Sequence, residues 1–293
     1  MLELWSEKLL SSVFLEKKGV GFMVYGYMNG NGAFSTDGIN WTTITGASNA
    51  RWVSIAYGNK RFCIKAEASP ISAITTNNGA SFSKKSTGPS QWNSSELGYG
   101  NGKFVCVSSN VCGYSTDGLN WTNSTLPATA NWKGVKYDMN KFVAVGESST
   151  MIYSLDGITW TTSTLPSNSS WQGVTSNGKV FVTVGNNAIA YSYDGVNWTK
   201  GTIPSGVYTG VTYGNKTFIA VGTNVCAYSK DGINWTKGTI LSGSWRDVAY
   251  GNKTFVAVGT NICAYSKDGI NWTASSFPVT FNDGPRMICY GVE

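Results

Sequence analysis

Five aromatic residues, Trp52, Trp132, Trp171, Tyr208 and Trp245, stand at matching places in a chain that repeats itself, each just ahead of a short strand-like segment. Further along each copy comes a position that varies: Tyr27, Glu67, Ser109, Glu147, Asn186, Thr223 and Thr260. Arg51, Lys133, Arg246 and Arg286 flank the aromatics or their equivalents. An aromatic face beside Glu, Asn and Thr suits a sugar, because C–H edges stack on the ring while hydroxyls find polar partners. The candidate ligand-binding set is therefore Trp52, Trp132, Trp171, Tyr208 and Trp245 as stacking faces, with Glu67, Glu147, Asn186 and Arg246 as polar partners. A second reading fits the same spacing: the rings only fill space between inner strands, as repeated aromatics commonly do. Trp92 lies two residues out of register, and Pro285 takes the aromatic's place near the chain end.

Other chemistries are excluded or disfavoured by composition. The chain has no histidine, which removes Ser–His–Asp and Cys–His sites and any zinc site that uses imidazole. Glu67 and Glu147 occupy equivalent slots two repeats apart. A glycosidase pair needs its carboxylates about 5–10 Å from each other, and two repeats is too far, so no enzymatic activity is expected. Cys112, Cys226 and Cys263 share one repeated slot, and Cys63, Cys106 and Cys289 fall in apolar runs, so all six read as small buried hydrophobes. No Cys-x-x-Cys pair occurs, and each repeated turn offers one aspartate without the alternating acids of a calcium loop. Neither metal nor cofactor is expected. The net charge of +6 comes largely from lysines beside turns rather than from a basic stripe, which argues against nucleic acid. No stretch is long enough to cross a membrane. The opening "MLELWSEKLL" has glutamates where a signal peptide needs a basic end, so synthesis and assembly in the cytoplasm are expected.

The elements that position these residues come from a nonapeptide. It reads "FSTDGINWT" (34–42), "YSTDGLNWT" (114–122), "YSLDGITWT" (153–161), "YSYDGVNWT" (191–199) and "YSKDGINWT" (228–236 and 265–273). A worn copy, "TTNNGASFS" (75–83), puts Asn78, Gly79 and Phe82 at the Asp, Gly and Trp places. The seven copies fall about 40 residues apart, the period of a propeller blade. In the fullest unit, "WRDVAYGNKTFVAVGTNICAYSKDGINWT" (245–273), four short strands alternate with "GNK", a polar loop and "KDG". Four antiparallel strands in so short a unit, seven times over, predict an all-β, seven-bladed β-propeller. Asp accepts backbone N–H groups just ahead of it and Gly takes a positive φ. The following Trp (Trp41, Trp121, Trp160, Trp198, Trp235 and Trp272) is expected to pack between neighbouring blades.

The tail "PRMICYG" (285–291) matches a first strand, whereas residues 21–42 supply only second, third and fourth strands. The C-terminus is thus expected to complete the first blade, removing an exposed sheet edge. The rival inner strand is "LLSSVFLE" (9–16). The organisation is then a propeller over 19–293 preceded by an arm or extra strand over 1–18. In such a ring the "GNK" and "DG" turns share one face, expected to be a mounting face, and the varied loops share the other, expected to bind.

The nonapeptide resembles the Asp-box of sialidase-like propellers, Ser-x-Asp-x-Gly-x-x-Trp, although here Asp and Gly adjoin and the Trp comes one residue sooner. It is more similar to the "YSxDGxNWT" repeat proteins of bacteriophage virions and some bacterial surfaces, over about residues 20–291. Sialidases need three arginines around the substrate carboxylate, a Tyr–Glu pair and an acidic Asp. This chain has only Arg51, Arg61, Arg246 and Arg286 and lacks an "RIP" segment. The resemblance implies a non-enzymatic virion protein, tail fibre or tail-associated, present in many copies, whose partner is host surface glycan. The alternative is a decoration or adaptor protein that touches only other virion proteins.

Overall fold

The computed structural model describes residues 19–26, 30–47, 50–67, 69–88, 96–281 and 283–292. The proposed arm over 1–18, the rival strand over 9–16, Tyr27 and Trp92 lie outside the described residues. The rest is a seven-bladed β-propeller of antiparallel blades. The ring closes as the sequence predicts: Pro285–Val292 lies innermost in the first blade, paired with Gly19–Gly26, which is followed by Gly32–Ser35 and Thr42–Ile44. Six sheets have four strands. In the third blade, Lys103–Ser115 runs through both middle positions, with Ser109 at φ +47° where the other blades turn.

Three local devices build each blade. The "GNK" segments are two-residue hairpins: Asn252 and Lys253 have φ values of 42° and 57°, and Asn215 and Lys216 of 44° and 57°. Positive φ at both central residues is the turn whose twist matches a hairpin. The "DG" turn is held by its aspartate. Asp37 Oδ1 accepts the N–H groups of Ile39 and Asn40, both at 2.8 Å, while Ser35 Oγ accepts the Gly38 N–H at 2.8 Å. The same bonds recur around Asp117, Asp156, Asp194, Asp231 and Asp268. In the second blade the aspartate's part falls to Asn77, not Asn78: Asn77 Oδ1 accepts from Thr75 Oγ1 at 2.8 Å and from the Ser81 N–H at 3.0 Å. Asn78 is an inserted residue at φ 59°, so this worn copy has the full Asp-box spacing, Thr75-x-Asn77-x-Gly79-x-x-Phe82.

The third device is the alternation of the second strand. In the fourth blade Phe142 and Ala144 pack toward the third blade while Val143 and Val145 pack toward the fifth. A strand buried on both faces needs a continuous apolar run, which "KFVAVG" supplies. The repeated tryptophans close six of the seven seams, and Phe82 closes the one between the first and second blades. Trp160 packs with Val105 and Cys112 of the preceding blade, Trp235 with Val182 and Val184, and Trp272 with Ile219 and Val221. These are the expected inter-blade pegs. Tyrosines at the far end of the inner strands interlock with the next glycine. A Cβ on Gly58, Gly100, Gly214 or Gly251 would fall within about 2 Å of Tyr99, Tyr137, Tyr250 or Tyr290 respectively, which is why "YG" recurs.

Candidate functional site

The inner strands converge on a central cavity of about 420 Å³, lined by residues from all seven blades. It opens on the loop face, because its walls are the opening residues of the inner strands and Glu67 of a connecting loop. The lining falls into tiers set by strand register. The outermost holds Val53, Lys133, Gln172, Thr209, Arg246 and Arg286; the next holds Glu96, Gly134, Gly173, Gly210, Asp247 and Met287; Leu97, Val135, Val174 and Val211 form an aliphatic floor.

Second-tier side chains reach sideways to the next inner strand. Ser54 Oγ accepts the Leu97 N–H at 2.8 Å, and Asp247 Oδ2 accepts the Ile288 N–H at 3.0 Å. Gly134, Gly173 and Gly210 instead let adjacent strands draw close: a Cβ on Gly210 would come within 2.7 Å of the Asp247 Cα. The tier is thus flanked by two carboxylates. Burial pushes the Asp247 carboxyl up to about 7, against the lowering effect of the Ile288 and Val248 N–H groups. Burial, and then the charge of Asp247, raise Glu96 well above the usual carboxylate range; Lys133, Lys65 and Ser54 oppose this. Behind them Lys65 is wholly buried where five other blades carry valine and the first carries Tyr25, and burial lowers its ammonium to about 8.

The sequence-based site is only partly brought together here. Trp52, Trp132, Trp171, Tyr208 and Trp245 are 0–1% exposed, so their faces are closed to a stacking sugar. The reason is packing: each lies in the hydrophobic cluster between its own blade and the one before. Their polar tips are also spent on backbone carbonyls, Trp132 Nε1 donating to Ser109 at 2.8 Å, Tyr208 OH to Pro204 at 2.9 Å and Trp245 Nε1 to Leu241 at 2.9 Å. Of the two readings the space-filling one describes them. Where Pro285 leaves no ring, Phe281 is fully buried in its stead.

Glu67 and Arg246 do line the cavity. Glu67 faces Arg51 at 4.0 Å, and Glu147 pairs with Lys133 at 3.6 Å from the rim, outside the lining. Asn186 is an exposed loop residue away from the cavity, bonded to Asn187. Two further carboxylates, Glu96 and Asp247, line the second tier. The sequence does carry a signal for them: both break the Gly or Ser pattern at one inner-strand position.

No family model matches the sequence, and no curated protein matches it. Among solved structures the fold is similar to one titled streptogramin B lyase, with a TM-score of 0.72 at 14% identity over 82% of this chain and 87% of that one. It is also similar to YCF48 bound to D1 peptide, with a TM-score of 0.62 at 16% identity over 82% and 88%, and to YCF48 from Cyanidioschyzon merolae, with 0.57 at 14% over 83% and 93%. At these identities the likeness is one of fold, and propellers host catalysis and binding alike.

Proposed function

We propose that this chain is a non-enzymatic binding protein of a phage-type virion, tail fibre or tail-associated, that takes host surface carbohydrate in the mouth of its central cavity. The observation that carries the reading is the cavity itself: about 420 Å³, within the usual range for a small-ligand site, and lined by polar side chains where the repeat is most irregular. Ligand sites favour convergent polar groups on a rigid frame. A binder fits better than an enzyme because both oxygens of Asp247 already accept backbone N–H groups, leaving that carboxylate structural. The repeat resemblance supports the virion setting, and multiple copies on a particle would multiply weak single sites. The test is a multivalent display of the full chain on a glycan panel, beside a Gln172→Trp variant that fills the cavity mouth. Binding that this variant abolishes is expected; no binding at high valency rejects the reading.

One observation favours an adaptor role through the opposite face. Leu155 and Tyr193, each 65% exposed, occupy the same turn position in adjacent blades, where other copies carry Thr or Lys. Under that reading Leu155→Glu with Tyr193→Glu removes the protein from assembled particles while leaving glycan binding unchanged.

A further inference from the structure

Arg246 and Arg286 hold the same register position on neighbouring inner strands, one in the seventh blade and one in the closing strand Pro285–Val292. A single carboxylate joins them. Asp283 Oδ1 accepts from Arg246 Nη2 at 3.0 Å and Oδ2 from Arg286 Nη2 at 3.3 Å. Asp283 thus contacts both guanidinium groups. Arg246 Nη1 is shut off from solvent and has no hydrogen-bond partner among the described residues. A buried donor left unmade is costly, and an incoming oxygen acceptor relieves that cost. The third cation of the tier, Lys133, is paired among the described residues with Glu147, itself half exposed on the rim. Beneath them burial favours the uncharged forms of Glu96 and Asp247. The outer tier is therefore the positive part of the cavity.

We propose that Arg246 and Arg286 form an anion subsite astride the ring-closure seam, and that the carbohydrate taken by the cavity is an acidic sugar whose carboxylate docks there. The inference rests on the carbohydrate reading of the cavity. The planar fork of a guanidinium matches a carboxylate in geometry as well as charge. The Arg246 guanidinium pivots about its bond to Asp283 to bring Nη1 onto the ligand. Because the two arginines belong to strands joined across the seam, an anion held by both also clamps the closing strand against opening.

The experiment titrates galacturonate and galactose, then glucuronate and glucose, into the full chain by calorimetry at neutral pH, with acetate and inorganic phosphate as ion controls. The uronates are expected to bind about tenfold or more tightly than their neutral parents and to weaken as salt rises. Arg246→Gln is expected to bring the uronates down to the affinity of the neutral sugars. Hydrogen exchange over Met287–Gly291 is expected to slow with a uronate and not with its parent, a readout that needs no variant. Equal binding of acidic and neutral sugars overturns the subsite but keeps the carbohydrate reading. Acetate or phosphate bound with the same dependence on Arg246, and no sugar bound, keeps the subsite and rejects its carbohydrate ligand. Uronate binding unchanged in a folded Arg246→Gln protein overturns the assignment of the subsite.

Discussion

Asp247 ties the seventh blade to the strand that closes the ring, its Oδ2 accepting the Ile288 N–H at 3.0 Å. Its Oδ1 accepts the Val248 N–H at 2.8 Å, so both oxygens are held inside the channel wall. The bond joins two C-terminal segments, and the second of them, Pro285–Val292, pairs in turn with Gly19–Gly26 from the other end of the chain.

That position makes stability depend on pH in a definite direction. The folded carboxyl titrates near 7 against an ordinary value of 3.8, so between these limits the folded state holds a proton that the unfolded state has lost. Stability falls as pH rises through this window and levels off above it. Asp247→Asn removes the titration. In urea melts at pH 5 and pH 8, the variant is expected to lose less stability than the parent on going to pH 8. Parallel pH slopes in the two proteins contradict the assignment.

The turn aspartates act in the opposite sense. For Asp117, burial alone would raise the carboxyl, but hydrogen bonds from Asn120, Leu119 and Ser115 outweigh it and hold it at about 2. Its contribution is present above the ordinary value of 3.8 and is lost as pH falls through about 2. Asp117→Ala is expected to cost about 1–2 kcal/mol at neutral pH, the scale of a lost capping side chain. Asp117→Asn is expected to cost less, since Asn77 already fills the place in the second blade. Denaturant melts of the two variants provide the comparison, and equal losses would count against the hydrogen-bond account.

The closing strand carries more than one blade's worth of order. It pairs with Gly19–Gly26 from Gly19↔Val292 to Gly26↔Pro285 and sends Ile288 into the cluster shared with the seventh blade. Deleting residues 285–293 leaves Gly19–Gly26 as an unpaired, wholly apolar edge, a template for aggregation. Size-exclusion chromatography of the truncated chain is expected to show association and loss of cooperative melting. A monomer with the parent's melting transition would show that the ring does not depend on this closure.

Repetition made the fold legible. Seven copies of one turn fixed blade number, and the unmatched ends at 21–42 and 285–291 fixed the closure, because a ring must balance its strands. The site was less legible for the same reason. An aromatic recurring in every blade answers a packing demand that recurs in every blade, so Trp132 and Trp245 marked seams rather than ligand contacts. What binds must differ between blades, and the departures at Glu96 and Asp247 sit where three other copies carry glycine and one carries serine. Their meaning appears only when register brings the inner strands side by side around one cavity.

The glycines of that same tier give the sharpest steric test of the register. All three have extended backbones, so an alanine meets no conformational penalty there and only the neighbouring strand matters. At Gly210 a Cβ would lie 2.7 Å from the Asp247 Cα and 3.2 Å from the Arg246 carbonyl, contacts that backbone must yield to accommodate. At Gly173 the nearest atom is the Val211 Cγ1 at 3.3 Å, a side-chain end that can give slightly. Gly210→Ala is therefore expected to cost about 1–3 kcal/mol, the range for overpacking a close-packed site, and to blunt the pH slope set by Asp247. Gly173→Ala is expected to stay below about 1 kcal/mol and to leave that slope intact. Denaturant melts at pH 5 and pH 8 measure both quantities at once, and the reverse ranking of the two alanines would mean that the inner strands are not aligned as described.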